Sequence, residues 1–201
     1  MAFFYPVFLF FVTSFTLWFR NILFTPFSNF EVLWILIPVY LGLVTAEMFQ
    51  EKKGTSIGNA ISNSIIILWG GVDFLRITIN GIVTGSGSNF LGKLVIAVLI
   101  VSYGLLILYL GLRASGLVKH IGRVRWACYS IIVFAPLYYT NTLFSWKYLA
   151  GAIIFSPLFY LAVYLIDKFT PDPKAFVEDL KEATGSDKSQ SYSRYGNSGR
   201  T

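Results

Sequence analysis

The chain has 201 residues, of which 55% are hydrophobic and only 13% are charged. A soluble domain carries about 25% charged residues, so this composition excludes an ordinary water-soluble domain and predicts an all-α, polytopic integral membrane helical bundle. The formal net charge is +6. It does not indicate a nucleic-acid partner, because most lysines and arginines fall in the connections and the tail, as the positive-inside bias of membrane proteins places them.

Six stretches of the sequence are long and apolar enough to cross the hydrocarbon core as helices, which takes about 20 residues. These predicted spans run over about 3–19, 32–50, 57–80, 93–113, 124–142 and 147–167. No basic residue precedes the first stretch, so we expect a retained span rather than a signal peptide. The fifth is the weakest prediction, because Arg123 and Arg125 lie at its start and Pro136 interrupts it.

The distribution of basic residues predicts the orientation of the chain. With six spans and an amino terminus in the cytoplasm, the inner side receives Lys52, Lys53, the basic segment 113–125 and the cations of the tail. The outer side then holds Arg20 and Lys147, with Lys93 at an outer helix end. The positive-inside rule therefore predicts that both termini are cytoplasmic. The cytoplasmic (plasma) membrane is the expected location.

The segment after the last span predicts a short amphipathic cytoplasmic helix over residues 170–185. Its apolar face is formed by Phe176, Val177 and Leu180. A helix of this length is marginal alone, so this face is expected to dock on membrane or protein. Residues 186–201 are polar and are expected to be a disordered tail. The predicted organisation is thus a transmembrane domain over 1–169, followed by this helix and the tail.

The third predicted span has a polar side. At about 100° per residue, its amide, small and acidic residues gather on one side of the helix. These residues are Asn59, Ser62, Asn63, Gly70, Asp73 and Asn80. Two interpretations are open: the side packs against other helices, or it lines a path for an ion or solute. Ile66 and Ile77 lie on the same side and favour packing.

Charged residues within or near the spans are the candidates for a functional role. Asp73 and Arg76 are three residues apart and could form an ion pair, or Arg76 could reach the lipid headgroups instead. Asp73 is too short to do so, which makes it the strongest single candidate. Glu47, at the inner end of the second span, is expected to form an interfacial salt bridge with Lys52, Lys53 or a cation of the basic segment, in preference to a proton-relay role.

The basic segment between the fourth and fifth spans offers a second kind of contact. Its candidate residues are Lys119, His120, Arg123 and Arg125. They could bind anionic lipid headgroups on the cytoplasmic side or an acidic segment of a partner. The simpler interpretation is that they only determine the topology.

Catalytic and metal-binding patterns are sparse in this sequence. His120 is the only histidine and falls in a predicted inner connection, where it cannot activate the serines of the outer segment TGSGSNFLG. Asp73 and Glu47 are expected near opposite faces of the bilayer, so they cannot form a paired-carboxylate centre. A lone Cys128 excludes a disulfide framework. We therefore expect no catalytic, cofactor or metal site.

The function that these features favour is a non-catalytic integral membrane subunit of a larger assembly. Such a subunit would stabilise, assemble or regulate other membrane proteins, or copies of itself. The alternative is an oligomeric channel or small transporter in which the third span lines the path. A membrane-embedded enzyme acting on lipid or peptide is the least favoured interpretation, because the required groups do not cluster.

Overall fold

The computed structural model describes residues 4–49, 55–85, 89–140 and 145–170. Within these ranges all the regular elements are helices. They are α1 (Phe4–Leu23), α2 (Thr25–Ser28), α3 (Phe30–Phe49), α4 (Ile57–Val83), α5 (Phe90–Leu112), α6 (Val118–Ile121), α7 (Val124–Tyr139), α8 (Trp146–Ile154) and α9 (Ser156–Phe169). The all-helical prediction is confirmed for these residues. The predicted docking face of Phe176, Val177 and Leu180, with the tail, lies outside them.

Four of the helices, α1, α3, α4 and α5, are long and apolar enough to cross a membrane. The consecutive helices α8 and α9 make a fifth candidate if they are counted as one span bent by 43°. These lengths indicate a membrane protein. The fifth predicted span, over 124–142, corresponds to α7, which has 16 residues. At about 1.5 Å per residue it measures about 24 Å, less than the hydrocarbon core of about 30 Å. The orientation of the bundle remains a prediction.

The last predicted span is broken at Phe155, which lies between the end of α8 and the start of α9. Pro157 lies in the first turn of α9, where its missing N–H costs no helical hydrogen bond, whereas in the middle of a continuous helix it would remove one. The apolar composition runs through the break, so hydropathy does not reveal it. Pro157 is the sequence signal that could have predicted the bend.

Helix α7 lies at the centre of the fold, although its sequence is the weakest of the six predicted spans. Most of its residues are buried. Helices α3 and α4 pack on it, α1 also contacts it, and direct contact between α3 and α4 is slight at most. A gap between α3 and α4 with α7 as its floor is therefore built into the arrangement.

Helices α4 and α5 form the most extensive helix pair of the described residues. Glycines allow their axes to approach closely. A Cβ atom on Gly71 would lie 2.8 Å from Val101 Cγ2, and a Cβ atom on Gly104 would lie 2.8 Å from Leu68 Cγ. Gly70, on the other side of α4, faces α7, where an added Cβ would meet the side chain of Ile131.

Candidate functional site

The predicted polar side of the third span is divided in the structure between buried and exposed positions. Asn63 and Gly70 are buried, Asn59 and Asp73 are partly buried, and Ser62 and Asn80 are exposed. Asn63 Nδ2 donates a hydrogen bond of 2.8 Å to the carbonyl oxygen of Gly122. Within the chain, Asn63 and Gly70 therefore serve helix packing, which is one of the two interpretations of this side.

Asp73 connects α4 to α7. Its Oδ1 accepts a hydrogen bond of 2.8 Å from Arg76 Nε and lies 2.7 Å from Arg76 Nη2. Its Oδ2 accepts a hydrogen bond from the hydroxyl group of Tyr139. The Asp73 side chain is 13% exposed and that of Arg76 is 64% exposed. The pair expected from the spacing is present, and Tyr139 is a partner that sequence reasoning missed.

A second ion pair lies at the other end of the bundle. Glu47, near the end of α3, is 4% exposed. Arg125, in the first turn of α7, donates from Nε to Glu47 Oε1 at 2.7 Å and from Nη2 to Glu47 Oε2 at 2.5 Å. This bidentate geometry is the strongest form of a carboxylate–guanidinium pair. Arg125 belongs to the basic segment, which was one of the expected sources of a partner for Glu47. The other two expected partners, Lys52 and Lys53, lie outside the described residues.

The last turn of α9 completes this inner cluster. Asp167 Oδ2 lies 4.0 Å from Arg125 Nη2, and the ring of Tyr160 lies 5.7 Å from the guanidinium carbon of Arg125. Sequence reasoning did not include Asp167 or Tyr160 in a site. The sequence could have indicated Asp167, because the helix dipole destabilises a negative charge in the last turn of a helix and a nearby cation compensates for it.

The four basic residues proposed as one contact surface are separated in the structure. Lys119, His120 and Arg123 are exposed and remain candidates for headgroups or a partner. Arg125 is different, because its side chain is only 16% exposed and is bonded to Glu47. Arg125 therefore pairs with Glu47 inside the bundle instead of making the predicted contact with a headgroup. The pair offsets the desolvation free energy of the buried Glu47 carboxylate.

A cleft of about 730 Å³ opens between α3, α4, α5 and the end of α7, and we call it the Lys93 cleft. Its lining includes Glu31, Trp34, Arg76, Asn80, Lys93 and Tyr139. Lys93 is only 6% exposed. Its carbonyl oxygen accepts a hydrogen bond of 2.6 Å from Tyr138, whose ring stacks on Phe74 with a centroid distance of 4.2 Å. The cleft combines aromatic walls with two cations and lies at the opposite end of α7 from Arg125.

The gap between α3 and α4 forms a second opening of about 420 Å³, which we call the Trp34–Trp69 groove. Apolar side chains of α3 and α4 form its walls, Ile131 of α7 contributes to its floor, and Ser62 adds a hydroxyl group. Trp34 belongs to the walls of both openings. Sequence reasoning missed the groove, because a groove depends on which helices leave space between them.

The described residues thus define a helical protein with helices of membrane-spanning length, two ion-pair clusters and a cleft adjoining an apolar groove. Across these ranges no group of three or more histidines, cysteines, aspartates and glutamates is placed to hold a metal ion. Comparison of the chain with models of protein families, with curated proteins and with solved structures finds no match.

Proposed function

We propose that this protein is a non-catalytic integral membrane subunit, in the plasma membrane, that stabilises, assembles or regulates other membrane proteins. The observation that carries the proposal is the use of polar groups inside the bundle. Asp73 is bonded to Arg76 and Tyr139, and Glu47 to Arg125. A path or a catalytic centre requires its carboxylates to face a cavity. Asp73 and Glu47 are not among the residues that line the two openings, and each bonds to a residue of α7, Tyr139 and Arg125 respectively.

A face of α1 supports the subunit role. Phenylalanines recur along it at intervals of three and four residues, which places them on one side of the helix. These residues are Phe4, Phe8, Phe11 and Phe15, with exposed fractions of 78%, 67%, 44% and 37%. Aromatic side chains are enriched at protein interfaces. We therefore assign this phenylalanine face as the contact with a partner helix.

Site-specific cross-linking tests the subunit role. A photoreactive phenylalanine analogue at position 8 is expected to give one defined protein product in native membranes, because a stable partner holds the same surface against it. The matched control is position 99 on α5, where Leu99 is 63% exposed and is expected to meet lipid. Gentle extraction should then co-purify the same partner at fixed stoichiometry. Lipid adducts alone at both positions would contradict the proposal.

The second candidate function is an oligomeric channel or small transporter. The observation that favours it is the Lys93 cleft, whose charged and amide side chains could hold a solute. The native mass of the gently extracted protein tests this candidate. A mass that corresponds to a defined homo-oligomer without other subunits would support a channel or transporter over the subunit role.

The Asp73→Asn substitution separates the two functions. Asparagine keeps the size and the acceptor oxygen for Tyr139 and removes the charge, so we expect the protein to stay folded. For a subunit, the ion flux of reconstituted liposomes should equal that of the wild type. For a channel or transporter, flux should change by about tenfold or more, since intramembrane charges on a path set its barriers. Asp167→Asn, at the opposite end of the bundle, is the matched control.

A further inference from the structure

We propose that the Lys93 cleft and the Trp34–Trp69 groove form one binding site for a membrane phospholipid. Its phosphate group lies at Arg76 and Lys93, and one acyl chain lies in the groove between α3 and α4. This site goes beyond the subunit role, because assembly with a partner requires no bound lipid.

The first argument is the continuity of the two openings. Trp34 lines both of them. Along α4 the lining passes from Asn80 and Arg76 in the cleft to Trp69 and Ile65 in the groove. The rise along α4 from Asn80 to Ile65, at about 1.5 Å per residue, corresponds to about 22 Å. Half of a bilayer with its headgroups measures about 20–22 Å, so the combined opening has the length of one lipid molecule.

The second argument is the change of chemistry along this length. Among the described residues, the lining of the cleft includes the basic residues Arg76 and Lys93 and the carboxylate of Glu31, which is exposed. Asp73 balances part of the Arg76 charge, and Lys93 is buried in the wall. Phosphate oxygens accept charge-assisted hydrogen bonds from such cations. The groove end presents indole, isoleucine, valine and proline side chains, which match an acyl chain.

The third argument concerns the size of the occupant. Both openings fall within the range of about 300–1,000 Å³ that is usual for ligand sites, at about 730 and 420 Å³. An apolar partner helix in the groove would offer nothing to the cations of the cleft. A phospholipid satisfies both ends with one molecule.

Native mass spectrometry of the purified full chain in detergent tests this site with defined probes. Dioleoyl phosphatidylglycerol is expected to bind. Dioleoylglycerol, which lacks the phosphate, and glycerol phosphate, which lacks the chains, are each expected to bind at least tenfold more weakly, because each loses one half of the contacts. Equal binding of dioleoylglycerol, equal binding of glycerol phosphate, or no bound phosphatidylglycerol would overturn the proposal.

Three variants, each compared with a matched control, locate the lipid. Arg76→Gln and Lys93→Gln should each weaken phosphatidylglycerol binding about tenfold through the loss of a charge-assisted hydrogen bond. Lys147→Gln, at an exposed position of α8, is the control for charge and should leave binding unchanged. Ser62→Phe should fill the groove and weaken binding by a similar factor.

Ser102→Phe is the control for size, because Ser102 is exposed on α5 away from the groove. If Ser62→Phe behaves like Ser102→Phe, the acyl chain does not occupy the groove and the proposal is wrong. The Ser62 variant keeps the test valid even if Lys93→Gln fails to fold. A cysteine cross-link from position 62 to a second copy or another protein would assign the groove to that occupant instead. The lipid measurement uses the chain without partners, so its failure leaves the cross-linking test of the subunit role intact.

Discussion

The Arg125→Gln variant is expected to lose about 3–5 kcal/mol of the free energy of unfolding. Glu47 is only 4% exposed, and both of its oxygens accept from the Arg125 guanidinium. Removal of the cation leaves a buried carboxylate without its charge partner, which is more costly than the loss of a surface pair. Thermal unfolding of the purified protein in detergent should show the loss as a large fall in Tm.

Two controls make the interpretation of Arg125→Gln specific. Arg123→Gln removes a charge two residues away at an exposed position and should change the Tm little. The double variant Glu47→Gln with Arg125→Gln should recover most of the loss, because the buried Glu47 carboxylate is removed together with its charge partner and the two amides can bond to each other. A double variant as unstable as the sum of the two single variants would show that the pair is not the cause.

The Gly151→Ala variant is expected to destabilise the contact between α1 and α8 by about 1–3 kcal/mol, the usual cost of overpacking. An added Cβ would lie 2.5 Å from the carbonyl oxygen of Ser14 and 3.2 Å from Trp18 Cβ. A backbone oxygen cannot rotate away, so the helices must separate. Their separation should also strain the buried hydrogen bonds from Trp18 Nε1 to Tyr129 Oη at 3.0 Å and from Tyr129 Oη to the Ala152 oxygen at 2.5 Å.

Thermal unfolding and tryptophan fluorescence measure this effect. Gly42→Ala is the matched control, because Gly42 is also helical and an added Cβ there would have no atom within 4 Å. We expect this control to unfold at the wild-type temperature or slightly above it, since alanine favours the helix more than glycine does. Equal shifts in the two variants would mean that the close approach at Gly151 does not limit stability.

The composition and the local spacing determined the class of the protein and its short-range contacts. The six apolar stretches match α1, α3, α4, α5, α7 and the α8–α9 pair in position, because long apolar stretches indicate where helices lie. Of these, four are long and apolar enough to cross a membrane, or five if α8 and α9 are counted as one span. The Asp73–Arg76 pair was predictable for a similar reason, since residues three apart on a helix are neighbours whatever surrounds them.

Only the tertiary structure decided which apolar helix is central and which charges meet. Hydropathy cannot distinguish burial against lipid from burial against protein, because lipid tails are as apolar as a leucine side chain. The central position of α7, whose sequence is the weakest of the predicted spans, therefore could not be predicted from hydropathy. Arg125 and Glu47 are 78 positions apart in the chain, and Tyr139 and Asp73 are 66 apart. Their pairing, like the groove between α3 and α4, follows from how the helices pack rather than from any local pattern of residues.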